Sequence, residues 1–183
     1  MNAPDQILRP AQGSDLPGIV LLLAACGLPS SDLSAASLAH FHVIESVGQV
    51  VGVAGYEVAG SHGLLRSVAV TPASRDMGLA GRLVAATEAS AEKAGLSALY
   101  LLASDAGAAR YFGRIGYLPV ERGRVPSGLL ALPEFSQLCP QSCPSLRKVL
   151  DIHSFKEPEP SELKLALTGS ACSGSTVASC CKQ

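Results

Sequence analysis

One strand–loop–helix unit of the sequence has residue types that could hold an anionic group. Residues 64–70 (LLRSVAV) are mostly apolar and rich in β-formers, so they predict a strand that ends before Pro72. Gly78 and Gly81 lie in the loop that follows, and alanine-rich residues 79–95 predict a helix. Such a unit points backbone N–H groups and the positive helix end at one place, which predicts a phosphate or pyrophosphate site.

The other elements predicted from the pattern must position this unit. Ahead of it the sequence predicts one strand, two helices and a hairpin of two strands. After it come a buried strand, expected to run parallel to the first strand of the unit, then a capped helix and two more strands. The predicted strands are residues 6–10, 41–46, 50–57, 64–70, 97–103, 117–120 and 145–150. The predicted helices are residues 16–26, 30–39, 79–95 and 106–115, with a short one within 128–135.

Length and charge limit the class of protein. The chain has 183 residues and a net charge of −1, which allows one domain and an appended tail. The balanced charge and the lack of tryptophan give no reason to expect binding to nucleic acid or to a membrane surface. The apolar run at residues 19–26 is far shorter than the about 20 residues of a spanning helix, and no basic region precedes it. We therefore expect a cytoplasmic location.

The composition changes near residue 151. Residues 157–160 (EPEP) resemble a linker, and the segment after them is small, polar and cysteine-bearing. We therefore predict one domain in residues 1–150 and a poorly ordered tail in residues 151–183.

Two motifs resemble landmarks of the GCN5-related N-acetyltransferase (GNAT) family. Residues 75–80 (RDMGLA) resemble its Q/R-x-x-G-x-G/A signature, which holds the pyrophosphate of acetyl-CoA. Residues 111–117 (YFGRIGY) resemble its second landmark, commonly F-Y-x-x-x-G-F, which lies beside the thiol end of acetyl-CoA. For the first motif, the alternative is an ordinary turn whose glycines permit close packing.

The resemblance implies a fold and an activity. The fold would be α/β (α+β in some schemes), with a mixed, mostly antiparallel sheet of about six to seven strands and about four helices. The activity would be transfer of acetyl from acetyl-CoA to the amine of a small molecule, with no metal, by a protein of a family that often forms homodimers. Residues 64–70, 99–102 and 134–142 most resemble N-acetyltransferases of arsenic-resistance operons, which implies detoxification of an arsenic-containing or other toxic amino acid.

The family pattern also assigns the residues that would bind acetyl-CoA. The strand at residues 68–70 would pair with the pantetheine arm like an extra strand and supply N–H groups to the oxyanion. Arg75 and Arg82 would add positive charge beside the pyrophosphate. The expected contacts are Val68, Ala69, Val70, Arg75, Asp76, Met77, Gly78, Leu79, Ala80, Gly81 and Arg82.

The acid that protonates the departing thiolate is harder to place. In the family this is often a tyrosine four residues before the glycine of the second landmark. Here that position is Phe112, and Tyr111 stands one residue earlier, which is a rotation of about 100° on a helix. Tyr111 is the candidate acid, and a packed aromatic without a catalytic role is the alternative.

The base that deprotonates the amine is also open. Many family members carry a glutamate where this sequence has Leu64. Glu57 on the neighbouring strand is the candidate and would act through water. The other groups considered are Glu45, His42 and His62. For all of these the alternative is an exposed charge or a loop histidine, and a water-filled channel could replace any side chain.

Arg66 and the cysteines each have two interpretations. Arg66 either reaches solvent or lines the cleft and binds an anionic substrate group, such as a carboxylate or an arsenic oxyacid.

The cysteines are expected to be reduced, and those near the C-terminal end could bind a soft ion or be incidental thiols. They are Cys139, Cys143, Cys172, Cys180 and Cys181.

Two other classes of function stay open at the level of sequence. The departures at Leu64 and Phe112 favour a GNAT-fold protein that binds acyl-CoA as a sensor and catalyses weakly. The cysteines would suit a thiol-based arsenic- or metal-binding protein that uses the fold as a scaffold.

Overall fold

The computed structural model describes residues 6–150, so the predicted tail lies outside the described residues. The strands are β1 (Gln6–Pro10), β2 (Phe41–Ser46), β3 (Gln49–Ala59), β4 (His62–Val70), β5 (Ala98–Leu102), β6 (Leu118–Pro119) and β7 (Ser145–Val149). They form one open sheet in the order β1-β2-β3-β4-β5-β7-β6, in which β4 and β5 are parallel and every other neighbouring pair is antiparallel. This confirms the predicted mixed, mostly antiparallel sheet of an α/β fold.

The helices are α1 (Leu16–Ala25), α2 (Leu79–Lys93), α3 (Ala106–Arg114) and α4 (Ser127–Leu130), followed by a π-helical turn (Glu134–Leu138). Short 3₁₀ turns occupy Gly13–Asp15, Ala36–His40, Pro72–Ser74 and Arg122–Arg124. Within residues 6–150, none of the helices has both the length and the apolar character that crossing a membrane requires.

Helices cover both faces of the sheet. Val84 of α2 and Phe112 of α3 pack into one buried cluster on the first face. Leu23 of α1 packs on the opposite face, which also carries Leu129 of α4 and Phe135 of the π-helical turn. Burying one such aliphatic or aromatic side chain contributes roughly 1.5–3 kcal/mol, so these contacts hold the helices in place beside the strands.

Helix α2 is the crossover between the two parallel strands, as the sequence predicts. It begins after Gly78, whose φ of 73° lies in the left-handed region that glycine adopts at little cost. No side chain caps this end of α2, so its first N–H groups have no side-chain partner at the helix start.

The predicted helix at residues 30–39 is wrong. The structure has a 3₁₀ turn at Ala36–His40 there, preceded by turns and irregular backbone. The Ser34 N–H donates to Ser37 Oγ at 2.9 Å, and the Ser37 N–H donates to Ser34 Oγ at 3.3 Å. Serine side chains compete in this way with helical hydrogen bonds, so the apolar spacing alone does not produce a helix.

Candidate active site

A cleft opens where the parallel strands β4 and β5 separate. Their pairing covers His62 to Leu64 on β4 and ends at the Leu64–Tyr100 pair. Beyond that pair, β4 continues to Val70 while β5 ends at Leu102. The β4 edge that faces β5 is therefore free of β5 over its second half, which is the geometry that lets an extended ligand pair with a strand.

A β-bulge in β4 sets which side chains enter this cleft. Arg66 pairs with Gly55 and Ala69 pairs with Val53, so β4 has one more residue than β3 over this interval. Ser67 takes a φ of 57° at the bulge. The extra residue puts Arg66 and Ala69 on the same face of the sheet, and bulges beside active sites commonly re-aim side chains in this way.

The cleft has a volume of about 900 Å³ and contains part of the predicted acetyl-CoA set. Its walls include the second half of β4, the loop after it, the starts of α2 and α3, and the segment after α4. The predicted cofactor residues that line it are Val68, Ala69, Val70, Arg75, Asp76 and Ala80.

The other predicted cofactor residues lie around the start of α2. Leu79 is buried in the core, while Met77 is about half exposed. Gly78 and Gly81 flank the first turn, and an Arg82 Nη atom donates to the carbonyl of Gln6 at 3.4 Å. Their contacts with acetyl-CoA stay predictions. The free N–H groups of the α2 start, the positive helix end and the exposed Arg75 fit an anionic pyrophosphate.

Arg66 is buried and is surrounded by carboxylates. Only 5% of its surface is exposed. Its Nη2 donates to Asp32 Oδ1 at 2.8 Å, and its Nη1 donates both to Asp32 Oδ2 and to Glu57 Oε2, the latter at 3.1 Å. Burial disfavours the charged guanidinium, but the Asp32 hydrogen bond and the nearby carboxylates outweigh it and raise the pKa of Arg66. Arg66 does line the cleft, and its guanidinium is already paired.

Glu134 completes this group from the segment after α4. Its Oε1 lies 3.0 Å from Arg66 Nε, and only 6% of its surface is exposed. Burial raises the pKa of Glu134 to about 7; Arg66 opposes the shift, while the charges of Asp32 and Glu57 add to it. A carboxyl group with such a pKa exchanges protons near neutral pH.

Tyr111 lines the cleft from α3 and is half-buried. Its hydroxyl is buried without a hydrogen-bond partner in the described part of the chain. A Cβ atom at Gly81 would lie 3.9 Å from that hydroxyl, so Tyr111 points toward the first turn of α2. Burial, with the charge of Glu88, raises the pKa of Tyr111, which keeps the hydroxyl protonated and able to donate. The neighbouring Phe112 is buried in the core.

Glu57 lies on the other side of Arg66. It borders a second cavity of about 340 Å³ that also contains Asp32 and the stacked rings of His40 and Tyr56. Its side chain is 39% exposed. Glu57 therefore lies next to Arg66 of β4 but is not part of the lining of the larger cleft. Its role as a base stays a prediction.

The other candidate bases lie outside both cavity linings. Glu45 accepts hydrogen bonds from Arg9 at 2.8 and 3.1 Å. His42 is partly buried, which lowers its pKa, and the ring of His62 meets the Tyr100 ring edge-on.

Three cysteines line the cleft, namely Cys26, Cys139 and Cys143, and all three are free thiols. Burial raises the pKa of Cys139 to about 11, so this thiol is protonated at neutral pH. Within residues 6–150, no group of three potential metal-ligating side chains comes together. Cys172, Cys180 and Cys181 lie outside the described residues.

Sequence reasoning missed two members of the site, Asp32 and Glu134. The predicted helix at residues 30–39 contains Asp32 and does not form, while the predictions for Glu134 are limited to a short helix within residues 128–135 and the resemblance of residues 134–142. A signal was present, because an arginine inside an apolar strand must find carboxylates if it is buried. The sequence does not say which carboxylates those are.

Comparison with known proteins identifies the family. The model of the acetyltransferase (GNAT) family matches residues 23–117, which is more than half of the chain. The chain therefore belongs to the acetyltransferase (GNAT) family. This confirms, at the level of the family, the predicted enzyme class and acetyl-CoA as acyl donor. A search of curated proteins returned no significant match.

Solved structures share the fold. N-acetylglutamate synthase from Neisseria gonorrhoeae, solved with coenzyme A and L-arginine, is 21% identical with a TM-score of 0.66 over 81% of this chain and 34% of that chain. The chain thus spans about a third of that synthase. Rv2747 from Mycobacterium tuberculosis, solved with CoA, is 23% identical with a TM-score of 0.66 over 79% and 99% of the two chains.

A third solved structure is the ribosomal-protein-S18-alanine N-acetyltransferase from Escherichia coli. It is 19% identical with a TM-score of 0.57 over 81% of this chain and 94% of that chain. Likeness at these identities shows the fold, and the substrates of these proteins remain theirs.

Proposed function

We propose that the chain is an acetyl-CoA-dependent N-acetyltransferase that acts on the amine of a small molecule. The observation that carries this proposal is the opening between β4 and β5. One cleft there contains an unpaired strand edge, the start of α2, Arg66 and Glu134, and Arg66 also pairs with Asp32 and Glu57 of the second cavity. This arrangement suits both halves of an acyl transfer, because it has a place for the donor and ionisable groups for an amine.

The donor half would be held mainly by backbone. Residues 68–70 would pair with the pantetheine arm, and N–H groups at residues 77–81 would hold the pyrophosphate with help from Arg75 and Arg82. An N–H group beside the bulge at Ser67 would meet the oxyanion that develops on the thioester carbonyl. Tyr111, whose pKa is raised, would remain protonated and donate to the departing thiolate.

The acceptor half would be the wall around Arg66. In this proposal Arg66 fixes the positions of the carboxylates around it, and Glu57 contributes to the charge of that wall. Arg66 would bind a substrate anion directly only by giving up one of its present partners, because Asp32 and Glu57 occupy its Nη atoms.

A narrower proposal concerns the substrate. The resemblance of residues 64–70, 99–102 and 134–142 to enzymes of arsenic-resistance operons supports an arsenic-containing or other toxic amino acid, acetylated for detoxification. Homodimer formation and a cytoplasmic location likewise stay proposals that the family resemblance and the sequence support.

A second candidate is an acyl-CoA sensor with weak catalysis. Phe112 is buried at the position where the family often has the tyrosine that protonates the thiolate, and this favours the sensor. A sensor would bind acetyl-CoA without appreciable transfer.

One experiment separates these candidates. Release of free CoA from acetyl-CoA is measured against a panel of amines that includes amino acids, arsenic-containing amino acids, polyamines and aromatic amines. Thermal stabilisation by acetyl-CoA is measured in parallel, since a ligand that binds only the native state raises apparent stability. CoA release with at least one amine supports the enzyme, stabilisation without release supports the sensor, and the absence of both contradicts acetyl-CoA binding.

A further inference from the structure

We propose that Glu134 accepts the proton of the substrate ammonium and is thus a catalytic residue for the acetyl transfer. This inference rests on the proposed function and assigns its missing base. The resemblance includes Glu134 only as the first residue of the stretch 134–142 and gives it no role, and Glu134 lies in the π-helical turn between α4 and β7, not on the central strands.

Glu134 lies in the wall of the cleft that would hold the donor. It lines the same cleft as residues 68–70 of β4, where the thioester of the donor is expected. Only 6% of its surface is exposed, and Glu134 contributes to the wall of this cleft. An amine that attacks a thioester held by β4 would therefore meet Glu134 from inside the cleft.

The hydrogen bonds around Arg66 are unequally shared among its three carboxylates. Both Nη atoms of Arg66 are engaged by Asp32 and Glu57. Glu134 meets only Nε, at 3.0 Å, and Nε has no hydrogen bond of good geometry in the described part of the chain. The guanidinium therefore holds Glu134 less firmly than Asp32, which leaves carboxylate oxygens of Glu134 for a cation in the cleft.

The cluster around Arg66 has an excess of negative charge. One guanidinium faces three carboxylates, so the cluster attracts a positively charged group when all four are ionised. The groups that face Glu134 are Arg66, Asp32, Glu57 and Cys139, and the thiol of Cys139 is neutral at pH 7. The pKa of Glu134 is about 7, so near pH 7.5 it is largely ionised and basic enough to take a proton.

The substrate nitrogen loses two protons during the transfer. The Glu134 carboxylate takes one proton from R–NH₃⁺, and the neutral amine attacks the thioester carbonyl, so that a C–N bond forms. The C–S bond then breaks, the thiolate takes the proton of the Tyr111 hydroxyl, and the Tyr111 oxygen takes the second proton from nitrogen, which gives R–NH–CO–CH₃ and CoA thiol. Glu134 finally releases its proton to water and returns to the carboxylate.

The test is Glu134→Gln, which keeps the shape and removes the base. We expect kcat at pH 7.5 to fall about 100-fold, within the usual range for loss of a general base. The wild-type profile of kcat/KM against pH should have an acid limb with an apparent pKa of about 7. In the variant the limb near pH 7 should disappear. The residual kcat/KM should instead rise with pH up to the pKa of the amine, because only amine that is already neutral in solution can then react.

Controls distinguish this effect from a loss of structure. Affinity for acetyl-CoA, measured by calorimetry, should change less than twofold in Glu134→Gln. Glu121→Gln removes an exposed carboxylate near the same end of the chain and should leave kcat and the pH profile unchanged. Glu57→Gln removes a charge that raises the pKa of Glu134, so it should keep the acid limb and move it to lower pH.

Each outcome decides the matter. A Glu134→Gln variant that keeps both kcat and the acid limb overturns the proposal, as does loss of the limb in Glu57→Gln alone. If Glu134→Gln does not fold, Glu134→Asp replaces it, and an acid limb that neither weakens nor shifts overturns the proposal. Wild-type protein that releases no CoA with any amine instead contradicts the proposed function itself.

Discussion

The proposed donor half and the proposed acceptor half of the site are constructed in different ways. The donor half, residues 68–82, is one continuous stretch that would act mainly through backbone N–H groups of β4 and of the start of α2. The acceptor half consists of side chains from four separate segments, which meet around Arg66. They are Asp32, Glu57, Arg66 and Glu134.

This difference has a consequence for how each half responds to mutation. Backbone groups remain when a side chain changes, so the donor half depends on conformation more than on residue type. The acceptor half depends on a charge balance, in which removal of the single cation, Arg66, leaves the carboxylates without their partner. The two halves should therefore fail in different ways, and the following variants test that.

The largest effect is expected for Arg66→Met in the acceptor half. This change leaves Asp32, Glu57 and Glu134 without their cation, and breaking a buried ion pair costs about 3–5 kcal/mol of folding free energy. Urea denaturation at pH 7.5 measures it. Without the guanidinium the carboxyl pKa values rise, so the folded variant takes up protons as the pH falls and the deficit should shrink toward pH 5.

Arg124→Met is the matched control, because Arg124 is 80% exposed and pairs only with the exposed Glu121 among the described residues. It should cost less than about 0.5 kcal/mol. A cost below about 1 kcal/mol for Arg66→Met would show that the carboxylates do not depend on Arg66, and the distinction between the two halves would not hold.

The next effect concerns Tyr111 of α3, which lines the cleft and would donate a proton to the departing thiolate. Tyr111→Phe should lower kcat about 10-fold, which corresponds to about 1.4 kcal/mol in the barrier. Stability should stay within about 0.5 kcal/mol, because the lost hydroxyl has no hydrogen-bond partner in the described part of the chain.

Tyr117→Phe is the control for that variant. The Tyr117 hydroxyl is also buried in the aromatic cluster with Phe112, but Tyr117 is not part of the cleft lining. It should leave kcat unchanged. Equal kcat values for Tyr111→Phe and wild type would assign Tyr111 to packing and remove it from the proposed chemistry.

A backbone change in the donor half should have a smaller effect. A Cβ atom at Gly78 would have no other atom within 4 Å. Gly78→Ala therefore introduces backbone strain at a φ of 73° without a steric clash. We expect a loss of about 1 kcal/mol in stability and a several-fold weaker Kd for acetyl-CoA, because the first N–H groups of α2 are displaced. Gly123→Ala, also free of close neighbours, is the control and should change neither quantity. An unchanged Kd for Gly78→Ala would show that the start of α2 does not bind the pyrophosphate.

The same contrast explains what the sequence could predict. The strand order around β4, α2 and β5 and the glycine loop are local patterns, since strand periodicity, Pro72 and Gly78 each act on their immediate neighbours. The helix at residues 30–39 was predicted wrongly for a local reason too, because hydrogen bonds between Ser34 and Ser37 compete with a helix.

The acceptor cluster could not be predicted in that way. Arg66 was visible as a charge in an apolar strand, but its partners are set by the bulge at Ser67 and by where two loops pack. Asp32 is 34 residues from Arg66 along the chain, and Glu134 is on the far side of the crossover. Only the folded chain brings these side chains together, so their shared charge and the raised pKa of Glu134 have no counterpart in a sequence motif.

The smallest effect is expected at Met77, within the same loop as Gly78. Its side chain is 48% exposed and is not part of the cleft lining, so Met77→Ala removes atoms but no backbone group. The Kd for acetyl-CoA, measured by calorimetry, should stay within twofold of wild type and stability within about 0.5 kcal/mol. A loss greater than that of Gly78→Ala would mean that this loop recognises its ligand through side chains, and the donor half would then resemble the acceptor half.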